Sequence, residues 1–156
     1  MAAPSLLPAL HGVVNATQPL AWLATAGQPA PENLEALKRA GAEVIFDIRD
    51  PMEPRPFDER ALVEGLGMEY VNVSVRQGAL DDATMDAVLG VVRANAARPM
   101  LFHCASANRV GGALIPYFIL DQGMSEEDAT EAAQAIGLRG ANLLEWGLDY
   151  ARRKAG

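Results

Sequence analysis

The sequence predicts an α/β fold, with a mostly parallel central sheet of about four or five strands flanked by helices. Three observations predict it. Short apolar runs such as Val44 to Ile48 and Met100 to His103 alternate with segments whose apolar residues recur at helical spacing. Gly and Pro punctuate the changes of period. Half of the residues are hydrophobic (50%) but only 6% are aromatic, which suits helices packed closely on a sheet better than an aromatic-rich sandwich.

In chain order, Gly12 to Thr17 and Ala21 to Thr25 read as one or two edge strands, closed by the turn Ala26-Gly27-Gln28-Pro29. Pro31 to Ala40 reads as a helix: Pro31 suits its first turn, Leu34 and Leu37 share a face, and Gly41 stops it. Ala42 to Ile48 then reads as a buried strand. After the turn-rich Arg49 to Pro56, Asp58 to Leu66 reads as a helix with Gly67 behind it. Glu69 to Val75 resumes the strand period, and Asp81 is placed to cap a helix reaching about Ala97.

Pro99 ends that helix before the short strand Met100 to His103, and a further helix opens near Arg109. Pro116 should kink or shorten it. The tail reads as two helices, Ser125 to Ile136 and Gly140 to Lys154, that cover the sheet. Trp22, Trp146 and the Met residues read as core filler.

A chain of 156 residues is expected to form one domain over 1–156, with C-terminal helices in 121–156. The net charge of -7 disfavours nucleic acid as a partner, yet a local nest of amides with one Arg can still hold an anion. The opening Met1 to Pro8 has no basic region and its apolar run is broken by prolines. Nothing later approaches a membrane span, so the expectation is a cytoplasmic protein with no membrane partner.

The single Cys excludes an intrachain disulfide and argues against a Cys-rich metal centre, leaving a buried structural thiol or a reactive one. Its setting decides for the second. Strands separated by helices imply parallel pairing, with ligands bound beyond the carboxyl ends of the strands. The loops after Ile48, Val75 and His103 should gather there. In His103-Cys104-Ala105-Ser106-Ala107-Asn108-Arg109, a strand end and a helix start enclose a turn whose amides and helix dipole form an anion cradle.

Such a cradle favours the thiolate of Cys104, the nucleophile. Arg109 offers a planar fork that can hold two phosphate oxygens at once. The backbone of Ala105, Ser106, Ala107, Asn108 and Arg109 would bind the substrate anion. His103 is expected to pack behind the loop and tune the thiol rather than transfer protons.

Together, Thr25-Ala26-Gly27-Gln28-Pro29, the strand Val44 to Ile48 followed by Arg49, Tyr70-Val71-Asn72-Val73, and His103-Cys104-x-Ser106-x-x-Arg109-Val110-Gly111 resemble the bacterial tyrosine-phosphatase-like domain, which also occurs fused to β-lactamase-like hydrolases. The resemblance spans roughly Gly12 to Leu120. It implies a tyrosine/dual-specificity-phosphatase-like fold and hydrolysis of phosphomonoesters through a phosphocysteine intermediate on Cys104. Phosphotyrosine-like or small phosphorylated molecules, or a phosphoprotein, would be substrates. Inorganic phosphate, sulfate or vanadate would be ligands, with no cofactor or metal.

The chain departs from the phosphatase pattern in the loop. Four residues separate Cys104 from Arg109, one fewer than the general tyrosine-phosphatase signature, a shortening that this family shares with rhodaneses. Ala107 replaces the usual Gly, and a positive φ there would strain it. Val110 replaces a hydroxyl residue that helps the thiolate leave, so the intermediate should break down slowly unless Ser106 supplies a hydrogen bond.

The general acid is open. Asp81 and Asp82 follow a loop that should face the site, although Asp81 is also an ideal helix cap. Asp50 is an alternative, and Ser74 stands where related phosphatases carry the acid. Asp47 and Arg49 read as a local salt bridge. Two other functions fit the same loop: a rhodanese-like sulfurtransferase carrying a persulfide on Cys104, and a catalytically weak phosphate-binding regulatory module. A thiol relay of the arsenate-reductase kind would need further cysteines.

Overall fold

The structure is a computed structural model and describes residues 5–155. Its elements are β1 (Thr17–Leu20), β2 (Leu23–Ala26), α1 (Pro31–Ala40), β3 (Val44–Asp47), α2 (Glu59–Gly65), β4 (Glu69–Asn72), α3 (Asp82–Ala94), β5 (Met100–His103), α4 (Asn108–Pro116), α5 (Glu126–Ile136) and α6 (Ala141–Ala155). A 3-10 turn covers Leu7–Leu10, and a π-helical segment, Tyr117–Asp121, follows α4. Of the opening segment, Met1 to Pro4 lie outside the described residues.

Five strands form one sheet in the order β1-β2-β5-β3-β4. Only β1 and β2 pair antiparallel; the rest are parallel. β5 is therefore central, and the chain leaves the middle of the sheet at Cys104. Alternation along the strands builds two core layers. Val44, Phe46, Met100 and Phe102 pack with α3 to α6, and Phe46 stacks on Phe102 with ring centroids 4.6 Å apart. Ile45, Leu101, Ala24 and Ala26 pack with Leu34 and Leu37 of α1 and Val63 of α2. Each fully buried side chain of this size stabilises the fold by roughly 1.5–3 kcal/mol.

The helix signals hold at most ends. Asp58, Asp81 and Ser125 accept from the amides of Ala61, Thr84 and Asp128 at 3.1, 2.8 and 3.0 Å. Gly41, at φ 105°, closes α1, and the Ala42 amide bonds back to Leu37 O. That bond keeps Ala42 out of β3.

Three readings need correction. β1 begins at Thr17 instead of ending there, because Gly12 (φ 80°) and Asn15 (φ 53°) take turn conformations. β2 is interior, not an edge: all four of its residues are buried and it pairs with β5. A four-residue apolar run carries no periodicity that could reveal this. Met52 is 86% exposed at the tip of the loop after β3, so it is not core filler.

Pro116 ends α4 as its missing N–H requires, and the chain continues in π-helical geometry. The residues of α4 are small where α5 and α6 approach: a Cβ on Gly111 would meet Ala133 O at 2.8 Å, and one on Gly147 would meet Gly112 O at 2.6 Å. Among the described residues, no helix is long and apolar enough to cross a membrane.

Candidate active site

The loop between β5 and α4 is held from outside. Gln28 N–H donates to Ala105 O at 3.0 Å and Asn15 Nδ2 donates to Ser106 O at 2.9 Å. In a trans peptide the next N–H points the opposite way, so the amides of Ser106 and Ala107 turn inward. The Ala107 amide lies 3.2 Å from the Cys104 sulfur and donates to it. Gly27 permits this approach, since a Cβ there would meet Ala105 O at 2.6 Å. On the far side, Asn108 Oδ1 accepts from the amides of Arg139 and Gly140 at 2.7 and 3.1 Å.

Ala107 sits at φ 71° at the start of α4, a left-handed conformation that the usual Gly adopts without strain. Val110 is fully buried and offers no hydroxyl beneath the sulfur. The donor to that sulfur is the Ala107 amide, not the Ser106 hydroxyl.

The three expected loops do gather, and Arg109 is where they meet. Its Nη1 donates to Glu53 Oε2 at 2.6 Å and to Val75 O at 3.2 Å, and its Nη2 donates to Glu53 Oε1 at 2.9 Å. Burial would lower the Arg109 pKa, but Glu53 and Cys104 hold it above its ordinary value. The Glu53 carboxyl in turn lies below its ordinary value because of its hydrogen bonds to Arg109. Both Nη1 hydrogens are used, while the edge formed by Nε and Nη2 keeps the fork that a phosphate can occupy. Glu53 was not singled out in the sequence; its one signal is its place in a loop at the carboxyl end of β3.

The candidate acids lie elsewhere. Asp81 caps α3, and the Thr84 hydrogen bond holds its carboxyl below the ordinary value. Asp82 pairs with Arg153 of α6. Neither bonds to Cys104 or Arg109. Asp50 pairs with Arg76, and the Met52 amide, Arg76 and the nearby Arg109 lower its pKa. Ser74 Oγ is buried without a partner.

Behind the loop is a buried polar cluster. His103 Nε2 lies 2.5 Å from Glu59 Oε2 and its Nδ1 lies 3.1 Å from Cys104 O. A carbonyl and a carboxylate both accept, so these contacts suit a doubly protonated ring. Burial opposes that charge, but Glu59, Asp47 and the Cys104 carbonyl raise the pKa. The expected Asp47–Arg49 pair is present at 2.7 Å, and Arg49 also reaches Glu59 at 3.3 Å. Burial would raise the Asp47 pKa, but Arg49, His103 and the Tyr70 hydroxyl, 2.5 Å away, hold it well below the usual carboxylate range. Asp47, Glu59 and His103 come together as metal ligands do, but the Arg49 guanidinium already lies among them. Gln28 Nε2 completes the cluster, donating to Glu59 at 2.8 Å.

Cys104 follows the central strand and Arg109 lies in the first turn of α4, and the fold that places them so has counterparts among solved proteins. No protein-family model and no curated protein matches the chain. Solved structures do. A DUF442 protein of Shewanella putrefaciens CN-32 superposes with a TM-score of 0.81 at 19% identity, over 94% of this chain and 97% of that one. The fold is that of the tyrosine-phosphatase-like proteins. The core catalytic domain of the PP-IP phosphatase SIW14 from S. cerevisiae, in complex with citrate, shares this phosphatase-like fold with a TM-score of 0.72 at 17% identity, over 92% of each chain. P. aeruginosa TpbA in complex with pTyr does so with a TM-score of 0.63 at 21% identity, over 88% of this chain and 91% of that one.

Proposed function

We propose that the protein is a single-domain, cysteine-dependent phosphatase that hydrolyses phosphomonoesters through a phosphocysteine intermediate, using no metal or cofactor. One observation carries the reading: a loop amide donates to the Cys104 sulfur while Glu53 fixes Arg109 within reach of the same sulfur, with its Nε side outside the Glu53 pair. The phosphoryl group would rest on the Ser106 and Ala107 amides and on Arg109 Nε and Nη2. The Cys104 thiolate would attack phosphorus, the ester P–O bond would break with its electron pair going to the leaving oxygen, and that oxygen would take a proton from water. Water would then cleave the S–P bond and release phosphate.

The complexes of TpbA with pTyr and of SIW14 with citrate support an aryl phosphate or another small anionic molecule as substrate. They favour phosphoryl transfer over the sulfur-transfer reading. Asp50 and Glu53, the carboxyls nearest Arg109, are both held toward the ionised form. A carboxylate is no proton donor, so the site suits substrates whose leaving group departs without help.

Hydrolysis of p-nitrophenyl phosphate and thiosulfate-to-cyanide sulfur transfer, assayed side by side with a Cys104→Ser control, test the assignment. Phosphate release that depends on Cys104, with no thiocyanate formed, is expected. Thiocyanate formation alone would replace this reading with the sulfurtransferase one.

A further inference from the structure

A second pocket, of about 400 Å³, opens beside β4, between α2 and the loop after β3. That volume falls within the range of roughly 300–1,000 Å³ common for small-molecule sites. Its wall includes Tyr70, which belongs to the core layer under α1 and α2. Cys104 belongs to the layer under α3 to α6, and neither Cys104 nor Arg109 lines this pocket.

Two arginines, Arg55 and Arg60, and two acids, Asp58 and Glu59, line the pocket, but they are not equally open to it. Inside the cluster, Asp47 pairs with Arg49 and Arg55, and Glu59 pairs with Arg49 and His103. Arg49 and His103 are sealed, with side chains 3% and 0% exposed, whereas Arg55 is 25% exposed and lines the pocket. Arg55 is therefore the cation of the cluster that faces this space.

Arg60 joins it. Its guanidinium lies 4.9 Å from the centroid of the Tyr70 ring. Its one carboxylate, Glu64, is 3.9 Å away across solvent, a weak pairing. Of the acids in the lining, Asp58 is exposed and caps α2 through the Ala61 amide, and Glu59 is already bonded to His103, Arg49 and Gln28. Phe57 and Pro51 supply the apolar walls.

We propose that this pocket is a second ligand site, for a small molecule with an aromatic body and one phosphate or carboxylate group. The ring would lie against Phe57 and Tyr70, and the anion would take the forks of Arg55 and Arg60. Arg55 already donates through Nη1 to Asp47 and to the Tyr70 hydroxyl, so an anion would take its remaining hydrogens. The site does not depend on hydrolysis, so it survives or fails separately from the phosphatase reading.

The test uses the full chain with Cys104→Ser, saturated with inorganic phosphate to fill the catalytic loop, and titrated with benzoate or phenylphosphonate while amide ¹H–¹⁵N spectra are recorded. Saturable shifts at Phe57, Arg60 and Tyr70 with at least one probe are expected, undiminished by more phosphate. Arg60→Gln, an exposed change that leaves the buried cluster intact, should weaken that binding by about tenfold or more, the effect of one lost charge-assisted contact. Arg55→Lys should weaken it as well. No saturable shift with either probe, shifts confined to residues 104–109, or equal affinity in both variants would overturn the proposal.

Discussion

Glu53 meets both terminal nitrogens of Arg109, at 2.6 and 2.9 Å, and leaves the Nε side of the guanidinium outside the pair. A carboxylate in that place either competes with the substrate phosphate or positions the arginine. The hydrogen count favours positioning, because the contacts to Glu53 and Val75 leave Nε and one Nη2 hydrogen available. Glu53→Gln should lower kcat/KM by roughly 10- to 100-fold, the scale of a lost charge-assisted bond. Steady-state kinetics separate the two roles. A positioning Glu53 lowers kcat, whereas a competitor, once removed, lowers KM and leaves kcat intact.

Arg109→Lys keeps the charge and loses the fork, so kcat/KM should fall by about 2 to 4 kcal/mol for good and poor leaving groups alike. Asp81→Asn and Asp82→Asn should not change the leaving-group dependence, because their carboxyls serve the α3 cap and the Arg153 pair. A series of substituted phenyl phosphates checks this. Asp81→Ala should instead cost about 1 kcal/mol of stability through the lost cap.

Ala107 tests the loop's backbone. Left-handed geometry costs a non-glycine residue roughly 1–2 kcal/mol. Glycine would relieve that, but at roughly 0.5–1 kcal/mol for added freedom of the unfolded chain and about 0.8 kcal/mol for the buried methyl. Ala107→Gly should therefore be nearly neutral in denaturant unfolding, within about 1 kcal/mol. A loss above about 2 kcal/mol would show that the methyl's packing governs the loop instead.

The buried cluster predicts two pH limits to stability. The His103 pKa is raised in the fold, so its contribution is fully present below the unfolded value near 6.5 and is lost as pH rises through the folded value. The Asp47 pKa is lowered, so its contribution is present above the unfolded value near 3.9 and is lost as pH falls toward the folded one. Thermal unfolding across pH reads both limbs. Glu59→Gln should flatten the alkaline limb, and an unchanged alkaline limb would show that the His103–Glu59 pair is not its source.

The fold was legible where elements carry their own signals. α1 lies at Pro31–Ala40 as Pro31 and Gly41 require, and β5 lies at Met100–His103. The meeting of Cys104 and Arg109 around one loop was legible because that loop is short and bounded by β5 and α4. The place of β2 in the sheet was hidden, since Leu23 to Ala26 bury through partners distant in sequence. Glu53 and Glu59 were hidden for the same reason: nothing in Pro51 to Pro56 or at the start of α2 records that one carboxylate meets Arg109 and the other meets His103. Long-range pairing of charges leaves no periodicity in the chain.

The central claim is that Cys104 accepts the phosphoryl group. The most direct measurement is rapid acid quenching of the full-length protein during turnover of p-nitrophenyl phosphate, followed by peptide mass analysis. Val110 provides no hydroxyl to help the thiolate leave, so the intermediate should accumulate, with one phosphoryl group on the peptide containing Cys104 and none in Cys104→Ser. Phosphate found on another residue, or hydrolysis that persists in Cys104→Ser, would contradict the account.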